Sequence, residues 1–318
     1  MNSREIIILG AGPWGHALSK SLLNNNYQTI IWARSLESIN SKFKNKDFNY
    51  SFNLEEIISG DGSIIVATPV ASLENIGQIY KSSNSKRKIL LACKGIDSKK
   101  SEFPTEIFSQ FCSNENLAVL SGPSFANEVF LNKPTAVTIA STNKDVSDYF
   151  IKLFHSETFR VYESDDLIGV QLGGAMKNIL AIAAGISDGL SLGPNAKSAI
   201  ITRGMAEITL LGDTLGCNLK TLYGLSGLGD LSLTCHDKQS RNFQFGLELT
   251  KNNSVIKIQE KIKETVEGVY AVDGIIKLCE KHNIVLPICN QVYNVVHGKV
   301  TPETAANELL SRNKKSEI

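Results

Sequence analysis

The chain has 318 residues, more than the roughly 250–300 that one hydrophobic core usually serves, so two domains are expected. Hydrophobic residues make up 42% and charged residues 20%, which excludes a largely disordered chain. The 33 Lys plus Arg balance 32 Asp plus Glu to a net +1, which leaves no field for steering toward nucleic acid or an anionic membrane; any anionic ligand must be held by local groups.

The chain starts Met1-Asn2-Ser3-Arg4-Glu5, and its first apolar run, Ile6-Ile7-Ile8-Leu9, stops at Gly10. That run is too short for the core of a signal peptide. Further β-branched or apolar runs follow, giving predicted strands at 5–9, 29–33, 63–67, 88–92, 117–120 and 135–140, with amphipathic helical segments such as 71–81 and 105–111 between several of them. Near-continuous apolar strands separated by helices predict a parallel, doubly wound sheet of the Rossmann type. The strand signal fades after Val161-Tyr162. From Asp165 onward the apolar spacing predicts helices at 170–189, 196–215, 243–249, 272–282, 291–297 and 302–310. The expected architecture is therefore α/β: a dinucleotide-binding domain over 1–164 and an all-α substrate and catalytic domain over 165–318. The polar patches at 81–87 and 251–257 are expected to be surface loops. The weakly polar stretch 170–186 holds Gln171, Lys177, Asn178 and glycines, which argues against a membrane span. The six cysteines are widely spaced with no C-x-x-C pair, the pattern of reduced thiols in a cytoplasmic protein with no metal site.

Gly10-Ala11-Gly12-Pro13-Trp14-Gly15 fits G-x-G-x-x-G directly after the first strand, opening a helix expected to run to about Asn24. Gly10 allows the tight turn, Gly12 lets a pyrophosphate approach the backbone, and Gly15 lets the helix sit close to the strand. Free N–H groups at the helix start then hold the phosphates. Pro13 suits the first turn, where its missing N–H costs nothing. The next strand ends in Arg34-Ser35, with no acid before Glu37 to hold a ribose 2′-hydroxyl. A cation there favours NADP(H) over NAD(H).

Ligands of open α/β sheets lie beyond the carboxyl ends of the strands. Those ends carry Thr68-Pro69, Cys93-Lys94-Gly95 and Ser121-Gly122-Pro123-Ser124. Lys94 can meet a phosphate or a substrate oxygen there, or be a solvated strand-end lysine. Over 169–187 the only charge is Lys177, in a helix apolar or small all round. A buried lysine is expensive unless paired or functional, and burial suits it to proton transfer near neutral pH. The bland alternative is a lysine that snorkels to the surface. Asp230 stands in a glycine-rich apolar loop, and Ser240-Arg241-Asn242 follows, with arginine the side chain best shaped for a phosphate. Asp230 as a helix cap and Arg241 on a solvated face are the alternatives.

These pieces, with LLACKGI around Lys94, SGPSFANEV at 121–129, KPTAVTIAS at 133–141, QLGGAMKNILAIAAGISDGL at 171–190, NAKSAIITRGMAE at 195–207, GLSGLGDLSLTC at 224–235, QSRNFQFG at 239–246 and VEGVYA at 266–271, make the chain resemble bacterial-type sn-glycerol-3-phosphate dehydrogenases from Ile6 to about Leu310. The resemblance implies reduction of dihydroxyacetone phosphate to sn-glycerol 3-phosphate for phospholipid synthesis, with NADP(H) or NAD(H), in a cytoplasmic homodimer. It implies that Lys177 is the catalytic lysine, and a substrate pocket of Lys94, Asp230, Arg241 and Asn242 with Ser240, Gly122 and Ser124 as further contacts. In the mechanism expected from these residues, Asp230 holds Lys177 in place and tunes its charge. Trp14, Arg34, Lys94, Ala126, Arg241 and Glu267 would line the dinucleotide. Pro13 departs from the family, which more often has Ser or Thr there, and so removes a hydroxyl and an N–H. A reductase for a non-phosphorylated keto acid and a non-catalytic dinucleotide-binding regulator are the competing expectations; Arg241 argues against the first, Lys177 with Asp230 against the second.

Overall fold

The structure, a computed structural model, describes residues 5–39, 42, 43, 47–251, 253–262 and 265–313. The residues Met1–Arg4 of the N-terminal stretch, and Asn252 of the patch at 251–257, lie outside the described residues. The chain forms two compact units. One comprises Met1–Lys94, Glu102–Gly174 and Lys220–Asp230; the other comprises Gly95–Ser101, Ala175–Leu219 and Leu231–Ile318. By packing, the unit changes inside one helix, at Gly174/Ala175, whereas the sequence pattern puts a boundary at 164/165.

The first unit is built on an eight-stranded sheet. Its strands are β1 (Ile6–Leu9), β2 (Thr29–Trp32), β3 (Asn49–Ser51), β4 (Ile64–Val66), β5 (Ile89–Leu91), β6 (Leu117–Ser121), β7 (Thr135–Ala140) and β8 (Phe159–Ser164), in the order β3-β2-β1-β4-β5-β6-β7-β8. The chain winds outward from β1 through β2 to β3, then returns to β4 on the other side of β1. Such a reversal leaves a crevice beyond the carboxyl ends of the strands, where ligands bind.

Apolar side chains alternate between two buried faces. Ile6, Ile8, Ile31, Ile65, Leu90 and Leu120 enter one core, and Ile7, Leu9, Ile64, Val66, Ile89 and Leu91 the other. Burial on both sides explains why the central strands read as unbroken apolar runs.

Two expectations for the sheet are corrected. β6 and β7 pair antiparallel in an otherwise parallel sheet, because only the short helix Ala126–Phe130 links them and a parallel return needs a longer crossover. The strand signal does not end at Val161-Tyr162, since β8 runs on to Ser164 with Phe159 and Val161 buried and Arg160 and Tyr162 exposed.

The second unit is helical among its described residues, with Gly193–Thr214, Arg241–Leu249, Val255–Ile262, Glu267–Lys281, Pro287–Val296 and Pro302–Leu310 as its main elements. The helix Val255–Ile262 begins inside the patch expected to be a loop at 251–257; Ile258, 1% exposed, anchors it. The helix Leu167–Gly189 is long and apolar enough to cross a membrane by length and composition, but 83% of its most apolar window is buried in the protein. Every residue from Gly169 to Ser187 is buried except Lys177. It is the core helix its composition predicts.

The helix Arg241–Leu249 crosses this core helix at paired glycines. A Cβ on Gly185 would lie 2.0 Å from Phe243 O, and one on Gly246 would lie 2.1 Å from Ile182 O. The backbones can meet only because both positions lack a side chain. Overpacking of this kind costs on the order of 1–3 kcal/mol or more. Gly246→Ala should lower the thermal midpoint by roughly 2–4 °C for each kcal/mol lost. Differential scanning fluorimetry measures it, and an unchanged midpoint would mean that the crossing is not tight.

Candidate active site

In the first unit β1 ends at Leu9 and the chain turns through Gly10, at φ +125°, into the helix Pro13–Asn24. A Cβ on Gly10 would stand 2.9 Å from Ala67 O, and one on Gly15 only 1.9 Å from Gly10 O. The three glycines therefore divide the work: Gly10 and Gly15 close the turn against neighbouring backbone, and Gly12, with nothing within 4 Å of its Cβ position, leaves a face open. Gly12 is the N-cap and has no side chain to cap the first turn. Pro13 occupies the first turn, as expected. An open glycine face beside the first-turn N–H groups fits a dinucleotide pyrophosphate.

Trp14 is fixed by its indole N–H, which donates to Ala92 O at 2.9 Å. Arg34 is exposed beyond the end of β2. Glu37 sits nearby with its carboxyl held below the ordinary glutamate range, chiefly by the Ser35 hydroxyl.

At the ends of β5 and β6, Lys94 Nζ donates to Gly122 O at 2.7 Å, to Asp230 Oδ2 at 2.7 Å and to Ser124 Oγ at 3.4 Å. Ser124 Oγ donates in turn to Gly122 O at 3.0 Å. Asp230 is fully buried. The structure thus brings Lys94, Gly122, Ser124 and Asp230 into one cluster. Asp230 forms an ion pair with Lys94, a pairing that the sequence does not suggest. Ala126 opens the helix Ala126–Phe130 and packs against the core of the sheet.

The second unit gathers the other candidates. Lys177 Nζ donates to Thr234 Oγ1 at 3.2 Å. Ser240 is the N-cap of Arg241–Leu249, its hydroxyl accepting from Phe243 N at 3.2 Å. Arg241, the first residue of that helix, is exposed. Asn242 is buried; its Nδ2 donates to Asn178 Oδ1 at 2.9 Å and its Oδ1 accepts from Gly268 N at 2.9 Å. Those bonds tie the start of the Arg241 helix to the residue after Lys177 and to the start of Glu267–Lys281. Glu267 is half-buried, and burial pushes its carboxyl up to about 7 against the pull of the Arg241 charge. Away from these residues, an apolar groove of about 700 Å³ runs between Ala183 and Val292, rimmed by Leu192, Leu210, Val285 and Leu310; none of the candidate site residues lines it.

Residues 5–147 match the profile of the NAD-dependent glycerol-3-phosphate dehydrogenase N-terminus, and residues 166–307 match that of its C-terminus. The chain belongs to this family. It is 42% identical over 98% of its length to the glycerol-3-phosphate dehydrogenase [NAD(P)+] of Vesicomyosocius okutanii, covering 98% of that relative. It is 40% identical over 99% of its length to the protein of the same description from Ruthia magnifica, covering 100% of it. The crystal structure of glycerol-3-phosphate dehydrogenase from Coxiella burnetii superposes with a TM-score of 0.91 at 38% identity, over 98% of this chain and 99% of that one. A dinucleotide-binding sheet with a helical partner unit is thus the architecture of the glycerol-3-phosphate dehydrogenase family and of this member.

Thr234 and Asn178 escape sequence reasoning, although each holds a candidate residue of this glycerol-3-phosphate dehydrogenase family member. Asn178 carries a usable signal, a second polar side chain beside Lys177 in an apolar helix. Thr234 carries none, because its partner lies 57 residues away.

Two outcomes are expected. Gly12→Ala should keep the thermal midpoint, since its Cβ meets nothing, and weaken NADPH binding at least tenfold by filling the open face; calorimetric titration checks this, and unchanged affinity would contradict it. The raised value of Glu267 means that the folded state favours the protonated form. Its contribution to stability is greatest below the unfolded value of about 4.3 and declines as pH rises to about 7. Relative to Glu267→Gln, the thermal midpoint of the parent protein should fall across that window and level off above it; a difference independent of pH would refute the assignment.

Proposed function

We propose that this protein catalyses the NAD(P)-dependent interconversion of dihydroxyacetone phosphate and sn-glycerol 3-phosphate, running as a reductase that supplies glycerophospholipid synthesis. Family membership over nearly the whole chain supports the reaction. The observation that carries the chemistry is Lys177, the one residue not buried between Gly169 and Ser187 in a helix with no other charge over that span. A side chain that reaches out of a core helix at one point, onto a hydroxyl, is placed for a task.

The turn Gly10–Gly15 would hold the pyrophosphate of a nicotinamide dinucleotide and Arg34 would favour a ribose 2′-phosphate; such a cofactor would supply or accept the hydride at substrate C2. Arg241 and the N–H groups at the start of its helix hold the substrate phosphate, where guanidinium geometry and helix polarity favour the same anion. Asn242 orients that helix start. Lys177 gives its proton to the C2 oxygen during reduction and takes it back during oxidation, so that one hydride and one proton convert a ketone to an alcohol. Asp230 neutralises Lys94 and keeps it aimed at Gly122 and Ser124. Glu267 sits beside Arg241 and lines the dinucleotide.

The protein works as a cytoplasmic homodimer. The cysteines are free thiols, which suits a reducing compartment. The groove rimmed by the exposed Leu192, Leu210, Val285 and Leu310 is an apolar face of the kind a partner subunit covers.

Purified protein should consume NADPH with dihydroxyacetone phosphate and do so faster than it consumes NADH. It should be nearly inactive with dihydroxyacetone, which lacks the phosphate. Arg241→Ala should raise the KM for dihydroxyacetone phosphate tenfold or more without changing the thermal midpoint. Equal use of the two ketones, or an unchanged KM, would favour a reductase for a non-phosphorylated substrate.

A further inference from the structure

The helix that opens on Gly12 carries a histidine that nothing in the glycine fingerprint requires. His16 is fully buried, one turn into the helix. Its Nδ1 lies 2.9 Å from Gly12 O and its Nε2 lies 2.9 Å from Tyr50 Oη. A carbonyl oxygen only accepts, so Nδ1 carries the hydrogen. Nε2 then accepts from the Tyr50 hydroxyl. One neutral tautomer satisfies both nitrogens, and burial lowers the basicity of the ring and keeps it neutral. The ring is clamped among aromatics, edge-on to Phe48 at 5.3 Å and stacked on Phe43 at 6.2 Å.

Gly12 O also accepts the backbone N–H of His16 at 3.2 Å, so one residue holds this carbonyl twice. The Gly12–Pro13 peptide needs that hold more than most. Gly12 has no side chain to cap the helix, its outer face is open, and Pro13 brings no N–H to the first turn. The direction of this peptide sets where the following first-turn N–H groups, those of Trp14 and Gly15, point.

We propose that His16, locked by Tyr50 on β3, is a positioning residue for pyrophosphate binding: it fixes the Gly12 carbonyl and so aims the remaining first-turn donors at the cofactor. This rests on the dinucleotide-binding reading of the turn. His16 does not touch the cofactor; it acts through Gly12.

The test is calorimetric titration of NADPH into the parent protein, His16→Ala, His16→Asn and Tyr50→Phe, with steady-state kinetics and thermal midpoints for each. His16→Ala should raise the NADPH Kd about tenfold, the effect of one lost buried hydrogen bond. His16→Asn, which keeps a donor where Nδ1 stands, should recover most of that loss. Tyr50→Phe should raise Kd about threefold by freeing the ring. In all three, kcat at saturating NADPH and the KM for dihydroxyacetone phosphate should stay within twofold. Should His16→Ala fail to fold, Tyr50→Phe decides, together with nitrogen NMR of the parent protein, which must show the hydrogen on Nδ1. A parent protein that does not bind NADPH would overturn the dinucleotide reading and this proposal with it. A parent that binds, with variants whose Kd is unchanged, with no recovery by Asn, or with the hydrogen on Nε2, would overturn the proposal alone.

Discussion

Asp230 has no exposure to solvent, and a carboxylate in that position must be paired. One partner is Lys94, 136 residues earlier in the chain and 2.7 Å away in space. Removing one member of such a pair leaves an uncompensated buried charge and costs about 3–5 kcal/mol. That penalty ties the segment Lys220–Asp230 to the ends of β5 and β6, and so places a late piece of the sequence in the first unit. Lys94 also reaches Gly122 O and Ser124 Oγ from the same position.

The second unit depends on close backbone approach in place of charge. Gly185 and Gly246 let the helix Arg241–Leu249 lie directly on the core helix, which brings Asn242 within hydrogen-bonding reach of Asn178. Arg241 therefore starts its helix beside the residue that follows Lys177. The first unit uses the same device at Gly15 to set its helix against β1. In each unit a small residue decides where a charged or polar group can stand.

What is legible in the sequence follows from how local each cause is. The turn Gly10–Gly15 is read in one glance because strand, turn and helix are consecutive, and the helix Pro13–Asn24 ends at the residue expected. The central strands announce themselves because both faces are buried. The edge strands β3 and β8 do not: β3 is short and polar, and β8 exposes every second residue. The antiparallel turn from β6 to β7 is set by the length of a connection, which hydropathy does not show. The helix Val255–Ile262 is hidden by the polar residues before it. Among the site residues, Lys177 stands out as the only charge from Gly169 to Ser187, and Arg241 as a cation in a polar triplet. The pairing of Asp230 with Lys94 is invisible in the sequence, because a contact across 136 residues leaves no local pattern.

Proton donation by Lys177 is the central step of the proposed reaction. The direct measurement is the turnover of dihydroxyacetone phosphate by Lys177→Ala, with NADPH binding measured on the same protein. Turnover should drop by ~10²–10⁴-fold, the range for loss of a general acid, while the NADPH Kd stays within a few-fold of the parent value. Turnover near the parent rate in a variant that binds NADPH normally would remove Lys177 from the chemistry and leave the assignment of the site without its central residue.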